Sequence, residues 1–364
     1  MSYLLTDDAK MLRESADRFF TGTDAIRQIR QWRNARDLSA SARGAWDGVV
    51  ELGFAGTLIP EAFGGVGLNL QASLQIAEMM GKSLAGGPFL SSAVMASTAI
   101  LGGNNEALKA ALLPAIASGT VVALATEENT RHKPHAIEAT ARRDGTGYRI
   151  SGRKIAVIDG SIAGKLIVVT RDGSDYLMMM TEAGAPGIAI TNTLGVDSRP
   201  LTTIAFDNVP AQDLVCAPAE TLTLLDRAYD AGRLHLAAEM LGGAQECFDR
   251  AVEYLKTRVQ FGKKIGEFQA LQHRAAILLG ELEIARSVVL KAAASPTPEF
   301  VSMAKARVGD IARKTVLEAI QFHGGIGVTD DFDLGFYLKR IRTAAELLGD
   351  SAFHAERYAR IQGL

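Results

Sequence analysis

The chain has 364 residues, more than one ordinary hydrophobic core organises, so two or three structural regions are expected. Charged residues make up 22% and hydrophobic ones 48%, with a formal net charge of -2, which gives no reason to expect a general nucleic-acid surface and directs attention to a small-molecule partner. Cys216 and Cys247 are too few for a disulfide framework and lack zinc-site spacing, so a reducing cytoplasm is the expected compartment.

From the start, MSYLLTDDAK has neither the long apolar core of a secretion signal nor the Arg-rich character of a transit peptide, and no run approaches a membrane span. Thr6 is placed to cap a helix that carries Leu12, Ala16, Phe19 and Phe20 on one face. A second apolar block runs from Ser73 to Met80, after the Gly-rich loop IPEAFGGVGL. Between Val121 and Pro210 the pattern changes to short β-rich runs, VVALAT, IEATARR, YRISGRKIAVI, KLIVVT, YLMMMT and TTIAFDNV, split by turn signals such as RDGTG and RDGSD. From Leu222 the helical period returns in long segments, with ASPTPE at 294 to 299 as a break. Helix, antiparallel β, helix is the expected order, with regions at 1–118, 119–218 and 219–364. It argues against an alternating doubly wound fold.

Two stretches in the last region do not look like plain core helix. YLKTRVQFGKKIGEFQALQH, residues 254 to 273, has helical apolar spacing but is interrupted by Gly262 and Gly266. Arg258 and Lys263 bring positive charge there, Gln260, Gln269 and Gln272 bring amide hydrogen bonds, and Gly262 permits close approach. Either an anion docks on this corner or its basic residues face water. QFHGGIGVTDDF, residues 321 to 332, sets Gly324, Gly325 and Gly327 between helical stretches, where amides can approach a diphosphate without Cβ interference. His323 inside it reads as a hydrogen-bonded packing residue rather than a cofactor contact.

The pair R-x-Q-F-G-x-x-I-x-x-F-Q-x-x-Q-H at 258 to 273 and Q-x-x-G-G-x-G at 321 to 327 resembles the signature segments of the acyl-CoA dehydrogenase family, and the likeness extends over nearly the whole chain. It implies an N-terminal α-helical domain, a middle β-barrel domain and a C-terminal four-helix bundle, an α+β fold assembled into oligomers through the bundle. It also implies FAD as cofactor, an acyl-CoA thioester as substrate and an electron-transfer flavoprotein or similar acceptor. By the resemblance Arg258, Gln260 and Phe261 reach the FAD of a neighbouring subunit, Phe268 and Gln269 match further cofactor contacts, and Gln321, Gly324 and Gly325 close around it. Thr126 in ALATEEN matches the flavin-facing threonine. Asp230 and Arg233 match the segment lining the CoA side of the acyl cleft, although Asp230 also reads as a helix N-terminal aspartate.

Several positions depart from the family's pattern. Arg131, His132 and Lys133 stand where a Gly-Ser-Asp run serves the diphosphate, Ala156 replaces the aromatic that covers the flavin, and Ile158 replaces the residue that hydrogen-bonds flavin N5. An isoleucine side chain makes no such bond. The family's base removes the α-proton while hydride leaves the β-carbon for flavin N5. The glutamate that does so occupies one of two positions, and here these hold Leu348, before Gly349, and Gly232, before Arg233. No catalytic residue is therefore assigned. Three readings remain: a displaced carboxylate among Asp230, Glu346 and Asp350; the base-lacking small subunit of a bacterial heteromeric acyl-CoA dehydrogenase, whose related partner brings the glutamate; or a scaffold without redox chemistry. The second is preferred, because the altered β strands are similar to those of such small subunits.

Overall fold

Thr6 opens α1 (Asp7–Thr21) by accepting from the Ala9 amide at 3.2 Å, which satisfies one of the helix's free N-terminal donors. In the computed structural model, which describes residues 5–34 and 42–364, the helices that follow are α2 (Ala25–Arg33), α3 (Trp46–Glu51), α4 (Leu70–Ser83), α5 (Ser97–Gly102) and α6 (Glu106–Ala117), with a π-helical turn at Phe89–Ala96 before α5. After the sheet come α7 (Thr221–Thr257), α8 (Gln269–Ala294), α9 (Pro298–His323), α10 (Leu334–Glu346) and α11 (Ser351–Ile361). The ASPTPE break falls where α8 ends at Ala294 and Pro298 opens α9. Helix, sheet, helix is the observed order.

By contacts, the described residues form two compact units. One gathers residues up to Arg27 with Leu74–Ala85 and Arg233–Leu364; the other gathers Gln28–Ser73 and Gly86–Gly232. In the first, α4 is buried at every residue from Leu74 to Gly81, polar positions included. The Glu78 carboxylate, 5% exposed, is clamped by Arg13 at 2.7 and 3.0 Å and by Arg286 at 2.7 Å. Burial pushes the Glu78 carboxyl up, but the two arginines outweigh it and hold the group below the usual carboxylate range. Helices α4 and α7 touch backbone to backbone: a Cβ on Gly81 would lie 1.8 Å from the Glu239 carbonyl oxygen, and one on Gly242 1.9 Å from that of Glu78. Only glycine permits that crossing. Glu239 itself takes both arms of Arg340, each at 2.7 Å, in a buried pair.

The second unit holds β1 (Val122–Ala125), β2 (Thr140–Asp144), β3 (Gly147–Val157), β4 (Lys165–Asp172), β5 (Asp175–Glu182), β6 (Ile188–Leu194), β7 (Pro200–Ala211) and β8 (Asp213–Leu214). The strands run in the order β6-β7-β3-β2-β4-β5-β8, with β1 beside β4. Two pairings are parallel, β1 with β4 and β2 with β4, a departure from the antiparallel expectation. The hairpin of β2 and β3 intervenes between β1 and β4, long enough to let the chain return in the same direction. Two strands go unmarked by the sequence reading, the two-residue β8 and β6, which lies at the sheet's edge and is exposed along nearly all its length, so it lacks the buried alternation that signals a strand. Strand β3 carries a bulge between Lys154 and Val157, where Ala156 takes a φ of 48°. The sheet core is Ile150, Leu166, Val168, Met179, Ile204 and Val209. Among the described residues no helix is long and apolar enough to cross a membrane.

Candidate functional site

Residues 254 to 268 turn out to be a helix end, a hairpin and a short 3-10 turn. Helix α7 stops at Thr257, Val259–Gln260 (β9) pairs antiparallel with Lys263–Lys264 (β10), and Phe261–Gly262 form the two-residue turn. Both turn residues have positive φ, 53° and 81°, as a type I′ hairpin requires. For glycine this is free; for phenylalanine it costs about 1–2 kcal/mol. Phe261 is also 91% exposed. Phe268 stands edge-on to it with ring centroids 6.2 Å apart, and the Lys263 ammonium lies 4.2 Å from the Phe268 centroid. Arg258, Gln260 and Gln269 are exposed beside them.

The glycine segment begins where α9 ends. Gln321 is exposed, and Gly324, at φ 64° and ψ -141°, takes a backbone form that a Cβ disfavours. A Cβ built on Gly324 or Gly325 would meet nothing within 4 Å, whereas one on Gly327 would meet the Ile320 carbonyl at 2.6 Å. Gly327 is thus a packing glycine, and the other two border open ground. A cavity of about 400 Å³ joins the end of α7 to this segment, lined by Tyr254 and Thr257 on one side and His323 and Phe332 on the other. His323 hydrogen-bonds the Ala319 carbonyl at 2.7 Å and stacks on Tyr254 at 4.3 Å. Burial holds its pKa down, so it is a neutral packing histidine.

At Leu348 the backbone turns left-handed, with φ 58°, followed by Gly349 at 103°. Three basic side chains secure this turn. Arg233 donates from Nε to the Leu348 carbonyl at 3.0 Å, His354 Nε2 lies 3.1 Å from the same oxygen, and Lys305 donates to the carbonyls of Ala345 and Gly349 at 2.8 and 3.0 Å. Arg233 is 1% exposed and also lies over the Phe353 ring at 5.6 Å, so it serves the turn. Burial, with Arg233 beside it, pushes the Lys305 ammonium down to about 7. Leu348 is itself buried. Of the nearby carboxylates, Asp350 caps α11 by accepting from the Phe353 amide at 2.8 Å, and Glu346 is exposed. A strained turn persists only where its surroundings over-determine it, and here they do so around a residue with no acid–base chemistry.

In the other unit Thr126 follows β1, buried at 4% exposure. The Tyr229 hydroxyl donates to Thr126 Oγ1 at 2.7 Å and lies 3.0 Å from Glu127 Oε1, which His132 Nδ1 approaches at 2.6 Å. Lys154, wholly buried, donates to the Thr126 carbonyl at 3.2 Å and to Glu128 at 2.6 Å; Glu128 also accepts from the amides of Glu138 and Ala139. Asp230, 8% exposed, follows Tyr229 on α7. Sequence reasoning missed Tyr229, Glu127, Lys305 and His354. The paired glutamates of ATEEN, with a histidine four residues on, were the one available signal.

These two faces differ in how they suit a dinucleotide. The hairpin and the glycine segment fit one: an exposed guanidinium, exposed aromatic faces and open ground over Gly324 and Gly325 suit diphosphate and adenine. The strand face does not fit a flavin ring, since Thr126 is buried under Tyr229, His132 is committed to Glu127, and neither Ala156 nor Ile158 has a polar side chain.

Comparison with known proteins agrees with this architecture. Residues 6–120, 123–209 and 222–362 match the N-terminal, middle and C-terminal domains of acyl-CoA dehydrogenase. The chain is 31% identical to acyl-CoA dehydrogenase IpdE2 of Mycolicibacterium smegmatis (strain ATCC 700084 / mc(2)155), over 82% of this chain and 81% of that protein. Among solved structures, the Tcur3481-Tcur3483 steroid ACAD G363A variant aligns with a TM-score of 0.88 at 28% identity, over 98% of each chain. Glutaryl-coenzyme A dehydrogenase in its glutaryl-CoA complex aligns at 0.92 and 25%, over 100% of this chain and 96% of that one. The helical, sheet and helical regions, the hairpin and the glycine segment together place this chain in the acyl-CoA dehydrogenase family of FAD-dependent oxidoreductases.

Proposed function

We propose that this chain is the base-lacking subunit of a heteromeric acyl-CoA dehydrogenase, which performs α,β-dehydrogenation of an acyl-CoA thioester only with a related partner subunit. The observation that carries the reading is the turn at Leu348: its positioning apparatus of Arg233, Lys305 and His354 is complete, yet no carboxylate stands at 348 or at 232. Bound FAD supplies the hydride acceptor. This chain contributes Arg258, Gln260 and Phe261 to a cofactor held on the partner's strands, with Phe268, Gln269, Gln321, Gly324 and Gly325 around it, and an electron-transfer flavoprotein as the later acceptor. The two-polypeptide name of the Tcur3481-Tcur3483 steroid ACAD supports a paired arrangement and a bulky acyl group.

Co-expression with a related acyl-CoA dehydrogenase subunit tests this. The mixed oligomer is expected to dehydrogenate acyl-CoA thioesters with an artificial acceptor and to carry fewer flavins than chains by absorbance. The chain alone is expected to be inactive. A fully flavin-loaded, active homo-oligomer would overturn the proposal, and loss of that activity in Asp350→Asn would identify a displaced base, since asparagine keeps the helix cap.

A further inference from the structure

We propose that Tyr229 is a built-in plug, its hydroxyl holding Thr126 and Glu127 so that this chain's own strand face stays closed to a flavin ring. The inference rests on the preceding reading that the cofactor belongs to the partner's strands, and it names the device that excludes the cofactor here. The phenol is fully buried and its oxygen is 2.7 Å from Thr126 Oγ1, which is where a ring atom would have to come to reach that hydroxyl. The same oxygen is 3.0 Å from Glu127 Oε1, so one phenolic proton is shared between two oxygens that line this face.

The plug is braced from three directions. His132 Nδ1 lies 2.6 Å from Glu127 Oε1 and its ring stands edge-on to Tyr229 at 5.2 Å. Lys154 fixes the Thr126 carbonyl and the Glu128 carboxylate from β3, and Glu128 in turn receives the amides of Glu138 and Ala139. His135 reaches Asp226 at 3.0 Å, three residues before Tyr229 on α7. The loop from Thr126 to Ala139 is thereby tied to the helix that carries the phenol. Charged hydrogen bonds in a low-dielectric interior are stronger than neutral ones, so the network favours its own closure over a ring that Ala156 and Ile158 do not hold.

Two barriers in series give a distinctive result. Restoring a hydroxyl by Ile158→Thr gains nothing while Tyr229 remains, and Tyr229→Phe, which removes only the oxygen and keeps the packing, gains little while Ile158 remains. Together they open the face. The experiment is titration of FAD by its fluorescence into the full chain as wild type, the two single variants and the double variant, with circular dichroism and thermal melting to confirm folding. The double variant is expected to bind FAD at least tenfold more tightly than either single variant, a coupling of about 1.4 kcal/mol. His132→Ser in the Ile158→Thr background removes the brace while leaving Tyr229 itself unaltered, and is expected to shift affinity the same way if the phenylalanine variant does not fold. Ile158→Thr alone binding as well as the double variant would overturn the plug, as would folded double and brace variants with no gain. In both cases a mixed oligomer with fewer flavins than chains leaves the subunit reading standing; wild-type chain saturating at one FAD per chain would sink both.

Discussion

Phe261 offers a test in which two measured quantities move in opposite directions. It occupies the first turn position of a I′ hairpin at φ 53°, where asparagine is favoured and phenylalanine is strained by about 1–2 kcal/mol. The residue is 91% exposed and its ring makes only the edge contact with Phe268, so little packing is lost with it. Phe261→Asn is therefore expected to stabilise the flavin-free chain by about 1 kcal/mol. If the ring is buried against a partner's cofactor, its loss removes about 1.5–3 kcal/mol of apolar burial there. FAD affinity of the mixed complex then falls roughly tenfold to a hundredfold. Urea unfolding of the flavin-free chain reads the first quantity, through the midpoint at constant slope, and FAD fluorescence titration of the complex reads the second. A destabilised chain with unchanged affinity would show that Phe261 is a fold residue and refute the argument.

Other expectations concern the helical unit. Lys305 is held down to about 7 by burial, so between that pH and the ordinary lysine value the folded chain binds fewer protons than the unfolded one. Stability therefore rises with pH through this window and is lost as pH falls back through 7; the difference in unfolding free energy between pH 7 and 9.5 should be larger in wild type than in Lys305→Met by on the order of 2–3 kcal/mol. Equal slopes in urea titrations would contradict that. Arg340→Met takes the guanidinium from both oxygens of the buried Glu239 carboxylate, with His235 3.8 Å away, and should cost about 3–5 kcal/mol, most of it recovered in Arg340→Met/Glu239→Leu. Gly81→Ala, which at an ordinary exposed helix site would gain about 1 kcal/mol, should instead abolish folding, because its Cβ would sit 1.8 Å from the Glu239 oxygen. A soluble, cooperatively melting Gly81→Ala protein would show that the helices can part.

The helix, sheet, helix order follows from apolar period alone, since the hydrophobic effect imprints a period near four on one kind of element and two on the other. Local chemistry was equally legible: Thr6 as a cap, ASPTPE as a break between helices, and the segments at 258–273 and 321–327 that resemble the family's signature pair. The leucine at 348 and the glycine at 232 need no coordinates either, being matters of residue identity. Strand β6, exposed on both faces, had no burial pattern to leave in the sequence.

Partnership across long separations is what only the fold decided. Arg233 reads in sequence as a cation beside an acyl cleft, yet it meets the Leu348 carbonyl 115 residues away and is sealed from water. Tyr229 drew no reading from the sequence, and its hydroxyl finds Thr126, 103 residues earlier, at 2.7 Å. Glu78 sits in what reads as a plain apolar block until Arg13 and Arg286, from opposite ends of the chain, converge on it. A buried polar group must find a partner, and the need is visible wherever a charge interrupts an apolar face. Which group answers is fixed by packing, because hydrogen bonds act over about 3 Å while sequence spacing constrains only neighbours within a turn or a hairpin.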